Sequence, residues 1–204
     1  ASAPRRATEA HETWTLPGAS VYQQDGIYAF DGSFTGTFVS DDLTTPVSPD
    51  SSGSAVFAAD GSGQYVVQAQ GDGWTSSYTE GWAVDGSASL TFSTDYTSTT
   101  VQPDDVGSFT YAADGSGQGT YNASYDDGSR AEVTDDIHAD GVVVESWRYF
   151  DTDPVVSVDE EGSVTWAVDG SGQGTITTHR ADGTSSTCPV TIAADGTSAI
   201  GVCS

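Results

Sequence analysis

Apolar and polar residues alternate with a period of two along most of this 204-residue chain, and the alternation stops at short clusters of Asp, Gly and Ser. Over 120–125, Tyr121, Ala123 and Tyr125 fall on one face of an extended chain, and Thr120, Asn122 and Ser124 on the other. Over 163–168, Val164, Trp166 and Val168 share a face in the same way. No segment keeps a helical period, because Gly and Asp interrupt every candidate. The pattern predicts strands.

The interruptions recur. "GSAVFAADGSGQ", "GSFTYAADGSGQ" and "GSVTWAVDGSGQ" begin at Gly53, Gly107 and Gly162. Looser copies begin at Tyr28 ("YAFDGS") and Trp82 ("WAVDGS"), with weaker echoes at His138 and Ile192. The spacing is about 27 residues, the signature of a repeat architecture. Each copy reads as two strands joined at Asp-Gly, the strongest short hairpin signal. The predicted fold is all-β, an antiparallel meander of about 12–14 short strands built from hairpin repeats of about 27 residues. Its apolar face is buried by rolling into a barrel or a sandwich, or stays partly single-layered.

Residues 25–204 make up the repeat domain. Residues 1–24 stand before it, and Thr13, Trp14, Thr15 and Leu16 alternate like a strand ended by Pro17-Gly18. The segment reads either as the first strand of the meander or as an arm that completes a neighbour's sheet. In the second case Arg5 and Arg6 would meet an acidic neighbour. At the other end, a two-residue turn at Asp195-Gly196 places Ile192 opposite Ala199 and Cys188 opposite Cys203. That register predicts one disulfide, with room for a bulge, fastening the last hairpin.

Thirty Asp and Glu stand against five Arg, and the formal charge is −25. Such a chain repels nucleic acid and anionic lipid, so nucleic acid is excluded as a partner. Low hydrophobicity with high charge is also the mark of disorder, but five Trp, nine Tyr and seven Phe between regular turns indicate a folded chain. No apolar run reaches the length of a transmembrane helix. The absence of Met and the start Ala-Ser-Ala-Pro read as a product of leader cleavage. With paired cysteines, the expected location is secreted or cell-surface.

Each candidate for chemistry competes with a plainer role. Ser62, Ser116 and Ser171 lie in Asp-Gly-Ser-Gly, which matches neither nucleophile motif and occurs three times where an active site is needed once. They read as turn residues. His11, His138 and His179 lack metal-ligand spacing. Glu80, Glu132 and Glu145 fall in predicted strands and Glu160-Glu161 in a predicted turn; pairs of such acids are what a glycosidase requires. Loops at 71–73, 126–128, 151–154 and 159–162 gather oxygen ligands of the kind calcium takes, without the spacing of a known loop. No cofactor is assigned, and calcium is the one these loops suggest. Trp74, Tyr78 and Trp82 fall on one strand face, as do Trp147 and Tyr149, and such rows serve a core or stack on sugar rings. Asn122-Ala-Ser124 is a glycosylation sequon pointing away from Tyr121.

With no singular reactive constellation, the sequence reads as a non-catalytic, secreted or cell-surface structural or adhesive repeat protein, a candidate self-assembling filament subunit. The alternatives are a carbohydrate- or small-ligand-binding module using the aromatic rows, and a secreted hydrolase using paired carboxylates.

Overall fold

The structure, a computed structural model, describes residues 8–16, 20–152 and 156–204, and for Trp14 and Leu16 the backbone alone. Every regular element among them is a strand. The chain divides into two compact units, Ala1–Ser98 and Thr99–Ser204. The first holds β1 (Thr8–Leu16), β2 (Ser20–Tyr28), β3 (Phe34–Asp42), β4 (Ser51–Phe57), β5 (Gly63–Gly71), β6 (Trp74–Trp82) and β7 (Ala88–Tyr96). The second holds β8 (Asp105–Tyr111), β9 (Gly117–Ser124), β10 (Arg130–Ile137), β11 (Val143–Phe150), β12 (Glu160–Trp166), β13 (Gly172–His179), β14 (Ser185–Ile192) and β15 (Ser198–Ile200). Within each unit every strand pairs antiparallel with its neighbour in the chain, and the first and last strands do not pair, so neither meander closes into a barrel. Seven repeat hairpins account for β2 to β15. The strand beyond the expected number is β1, which precedes the first repeat turn and pairs with β2 of the same chain from Thr8↔Tyr28 to Leu16↔Ser20.

The repeat turn has three loop residues, not two. At 112–116 the Ala112 N–H donates to Ser116 O at 2.7 Å and the Gly115 N–H to Ala112 O at 3.0 Å. This is a type I turn followed by a bulged residue with positive φ, and Gly115 takes φ 85°. Asp114 Oδ1 accepts from the Ser116 hydroxyl at 2.6 Å and its N–H at 3.0 Å. The same backbone bonds close 29–33, 58–62, 83–87, 138–142, 167–171 and 193–197, as well as 125–129 and 180–184. In an up-and-down meander every second connection falls at the same end. The first seven turns therefore form a row along one end of each unit. Val168 lies inside its turn, 74% exposed, and does not continue the face of Val164 and Trp166 as the alternation suggested.

The longer loop moves the register of the last hairpin. Ile192 pairs with Ser198 and Val190 with Ile200, one residue off the two-residue reading. Beyond Gly201, whose N–H donates to Pro189 O, Thr187 and Ser204 exchange both backbone bonds at 3.0 Å. The paired numbers have advanced by one, so Val202 and Cys203 together face Cys188, the two-against-one count of a β-bulge. The bulge restores the partner that the longer turn displaced, and Cys188–Cys203 is a disulfide with Cα atoms 4.1 Å apart.

Register also sorts the two faces. Tyr28, Phe34, Phe57, Gly63 and Trp82 align across β2 to β6, one row of an aromatic face. The opposite face carries Thr, Ser and Gln, with hydroxyl pairs Ser77–Ser93 and Thr177–Thr187 at 2.9 Å. Among the described residues, all buried apolar residues lie on the aromatic face: Phe34, Phe38 and Ala55 in the first unit, Ala123, Val164 and Val190 in the second. Glycines make room for the rings. A Cβ at Gly63 would stand 2.4 Å from the Trp82 indole, at Gly119 2.2 Å from the Phe109 ring, and at Gly162 2.3 Å from the Trp147 indole. Rings thus settle onto bare backbone and bury area within the sheet itself.

Candidate functional site

The repeated serines are spent within their own turns. The Ser116 hydroxyl is bound to Asp114, and those bonds, the hydroxyl's first, hold the Asp114 carboxyl below the usual carboxylate range. The histidines pair with single carboxylates across or along the strands: His11 Nδ1 with Asp25, which raises the pKa of the imidazole, His138 with Asp136 at 3.9 Å, and His179 with Glu161 at 3.4 Å. Among the described residues, no three His, Cys, Asp or Glu side chains converge as a metal site would require. Of the acidic loops, 71–73 is a two-residue hairpin turn between Gly71 and Trp74, and 151–154 lies partly outside the described residues. Glu160 and Glu161 open β12 and do not form a turn. The alternation over 160–166 is real strand pattern, and the connection from β11 ends one residue earlier, at Asp159, whose N–H donates to Tyr149 O.

The expected aromatic rows are on the faces assigned to them. Trp74, Tyr78 and Trp82 share the aromatic face of β6, and Trp147 and Tyr149 that of β11; all five are half-buried. Three of the five bind within the fold through a polar atom. The Tyr78 hydroxyl donates to Glu80 Oε2 at 2.8 Å, Trp82 Nε1 to Gly61 O at 2.9 Å, and Trp147 Nε1 to Glu160 Oε1 at 3.3 Å. Asn122 is exposed on the polar face, opposite in sense to Tyr121. Arg5 and Arg6 and the side chains of Trp14 and Leu16 lie outside the described residues.

Two clusters of carboxylates lie on the strands of the second unit. On the polar face, Glu132, Arg148 and Glu161 stand in one row across β10, β11 and β12, with Arg148 Nε 3.7 Å from Glu161. They line an open groove of about 560 Å³ with Thr134, Ser146 and Thr177. On the aromatic face, Asp135 and Glu145 oppose one another directly on β10 and β11. Their neighbours in the row are Phe109, Gly119 and Val164. Asp135 Oδ1 is buried without a hydrogen-bond partner. Burial raises both carboxyl pKa values, and the Asp135 charge raises that of Glu145 further. The alternation placed Glu145 in a strand, but Asp135 escaped notice because its partner is fixed by register across 137–143.

A pH dependence follows from this pair. Both groups hold protons more tightly folded than unfolded. Their stabilisation is therefore complete below the unfolded-chain values, about 4, and is lost as pH rises through the folded ones. The turn aspartates have the opposite sign: bonds from the Ser or Thr two residues on lower their pKa values, and that stabilisation is lost as pH falls. The Asp135→Asn/Glu145→Gln variant is expected to be more stable than the parent at pH 7, by on the order of 1 kcal/mol as for opposed like charges on a sheet. The difference shrinks toward pH 4. Thermal melts of both proteins across that range check it; parallel curves would show that the pair does not titrate as described.

No protein-family model, characterised protein or solved structure matches the chain.

Proposed function

We propose that this chain is a non-catalytic, extracellular structural or adhesive protein that assembles through its sheets. The observation that carries the reading is the aromatic face of each unit. No large side chain of the described residues is fully buried, and on that face Tyr28, Phe57, Tyr96 and Tyr111 remain 36–45% exposed. Extended apolar faces of that kind mark surfaces that meet a partner. Chemistry along the chain is repeated, and what is repeated is turn geometry. The disulfide suits an oxidising exterior, and no helix of the described residues is long and apolar enough to cross a membrane.

Charge sets the conditions for assembly. Copies carrying −25 each repel at low ionic strength, and salt screens that repulsion within about 10 Å at 0.1 M. Sedimentation velocity and negative-stain imaging over a range of protein and salt concentrations are expected to show association that grows with salt. A monomer at every concentration and ionic strength would overturn the assembly reading.

A further inference from the structure

The aromatic face of the first unit contains a trench that the rows read from the sequence do not include. Three rows of residues run side by side across the strands. One outer row carries Phe34 and Phe57, the other Phe38, and the row between them is Gly26, Gly36 and Ala55. The Phe34 ring lies over Gly26 and Gly36, and beside it, at Ala55, a gap of about 130 Å³ remains between Phe34 and Phe57 on one side and Phe38 and Tyr65 on the other. Phe34 and Phe38, one on each bank, are only 6% exposed, and Ala55 lies at the base between them. Tyr65 continues the central row on β5 and stacks on Phe38.

The banks differ in character. Phe34 and Phe57 are tilted against one another at 5.8 Å. Tyr22, Phe38 and Tyr65 form a parallel stack, with centroids 6.1 and 5.1 Å apart and interplanar angles of 15° and 5°. Polar groups gather on this second bank alone. The Tyr22 hydroxyl donates to Gln24 Oε1 at 3.4 Å, and burial first and then the Tyr22 phenol raise the pKa of Tyr65. Burial raises both phenol pKa values, so both are neutral donors at physiological pH. An apolar slot with a few convergent polar groups is the usual form of a small-ligand site.

We propose that this trench binds one neutral pyranose ring of a glycan, with the apolar ring face against the aromatic banks and the hydroxyls toward Tyr22, Gln24 and Tyr65. A closed cavity of about 150 Å³ holds benzene, and a pyranose with its hydroxyls is larger, so the gap of about 130 Å³ takes one face of the ring and leaves its rim outside. A pyranose has the matching two-sided chemistry, C–H groups on its faces and hydroxyls around its rim. The charge of −25 disfavours uronic acids and phosphorylated or sulfated sugars. The trench lies on the face through which assembly is proposed, so the two would compete for Phe57, and a strictly monomeric protein that binds pyranosides would overturn assembly and leave this site intact.

The test is titration of the isotope-labelled protein with methyl glucoside, galactoside and mannoside, followed by NMR. The expected result is weak, saturable binding by at least one of them that shifts the Ala55 methyl and the Tyr22 and Tyr65 ring signals. Tyr22→Phe/Tyr65→Phe keeps both rings and is expected to weaken that binding about tenfold, the loss of one or two hydrogen bonds. Ala55→Leu fills the floor and is expected to abolish it, with melting curves confirming that the variant folds. Phenol supplies a ring without the pyranose hydroxyls. Phenol binding with no pyranoside binding would make the trench an aromatic-ligand site and overturn the proposal. So would no binding of any probe, or pyranoside binding unchanged in the double tyrosine variant.

Discussion

Gly174→Ala is expected to unfold the second unit or to destabilise it by about 3 kcal/mol or more, at or beyond the upper end of ordinary overpacking because the backbone itself must move. A Cβ at Gly174 would stand 1.9 Å from Ser163 O and 2.8 Å from the Ser163 carbonyl carbon and Val164 Cα. All three atoms are backbone, so no rotamer change relieves the clash. The methyl fits only if β12 and β13 separate, and Val164, the directly paired residue and 3% exposed, then loses its packing. Gly81→Ala is the control. Its Cβ would meet nothing closer than Ser89 Oγ at 3.7 Å. That substitution should be neutral or slightly stabilising, because alanine restricts the unfolded chain. Denaturant midpoints of the two variants separate the cases, and a Gly174→Ala protein that unfolds with the parent would refute the close approach of β12 and β13.

Removing the Cys188–Cys203 link is expected to cost about 3 kcal/mol in the second unit and nothing in the first, which has no cysteine. Fifteen residues separate the cysteines, and the hairpin they close has little else to hold it. β15 is three residues long and exposed throughout. Without the link it frays, leaving β14 as an unprotected edge on which other strands can pair. Cys188→Ser/Cys203→Ser should therefore melt earlier and aggregate more readily. Amide exchange should show protection lost first at Val190 and Ile200, which are paired in the parent. Equal exchange in both proteins would mean that the bulged strand holds by its backbone bonds alone.

Both predictions turn on partners across strands, and there the sequence is weakest. Alternation assigned Trp74, Tyr78 and Trp82 to one face of β6, and the structure keeps them there, because side-chain direction along a strand depends only on that strand. Repetition located the turns, since Asp-Gly-Ser has local bonds to make wherever it occurs. Register requires the loop length as well, and a shift of one residue changes every partner and the face it meets. Reading Asp195-Gly196 as a two-residue turn gave the right disulfide only because a bulge at Val202 and Cys203 compensated for the third loop residue. Asp135 against Glu145 and the trench beside Tyr65 had no such compensation and were invisible.

By itself, then, the sequence determined an all-β meander of hairpin repeats, the shared face of Trp74, Tyr78 and Trp82 and of Trp147 and Tyr149, the single disulfide, and a net charge of −25. Only the tertiary structure decided which glycine lies beneath which ring, which carboxyls oppose one another, and where small residues align between large ones. The physical reason is range. Turn bonds and side-chain alternation act within a few residues, whereas cross-strand contacts are fixed by summed loop lengths and bulges that no short stretch of chain encodes.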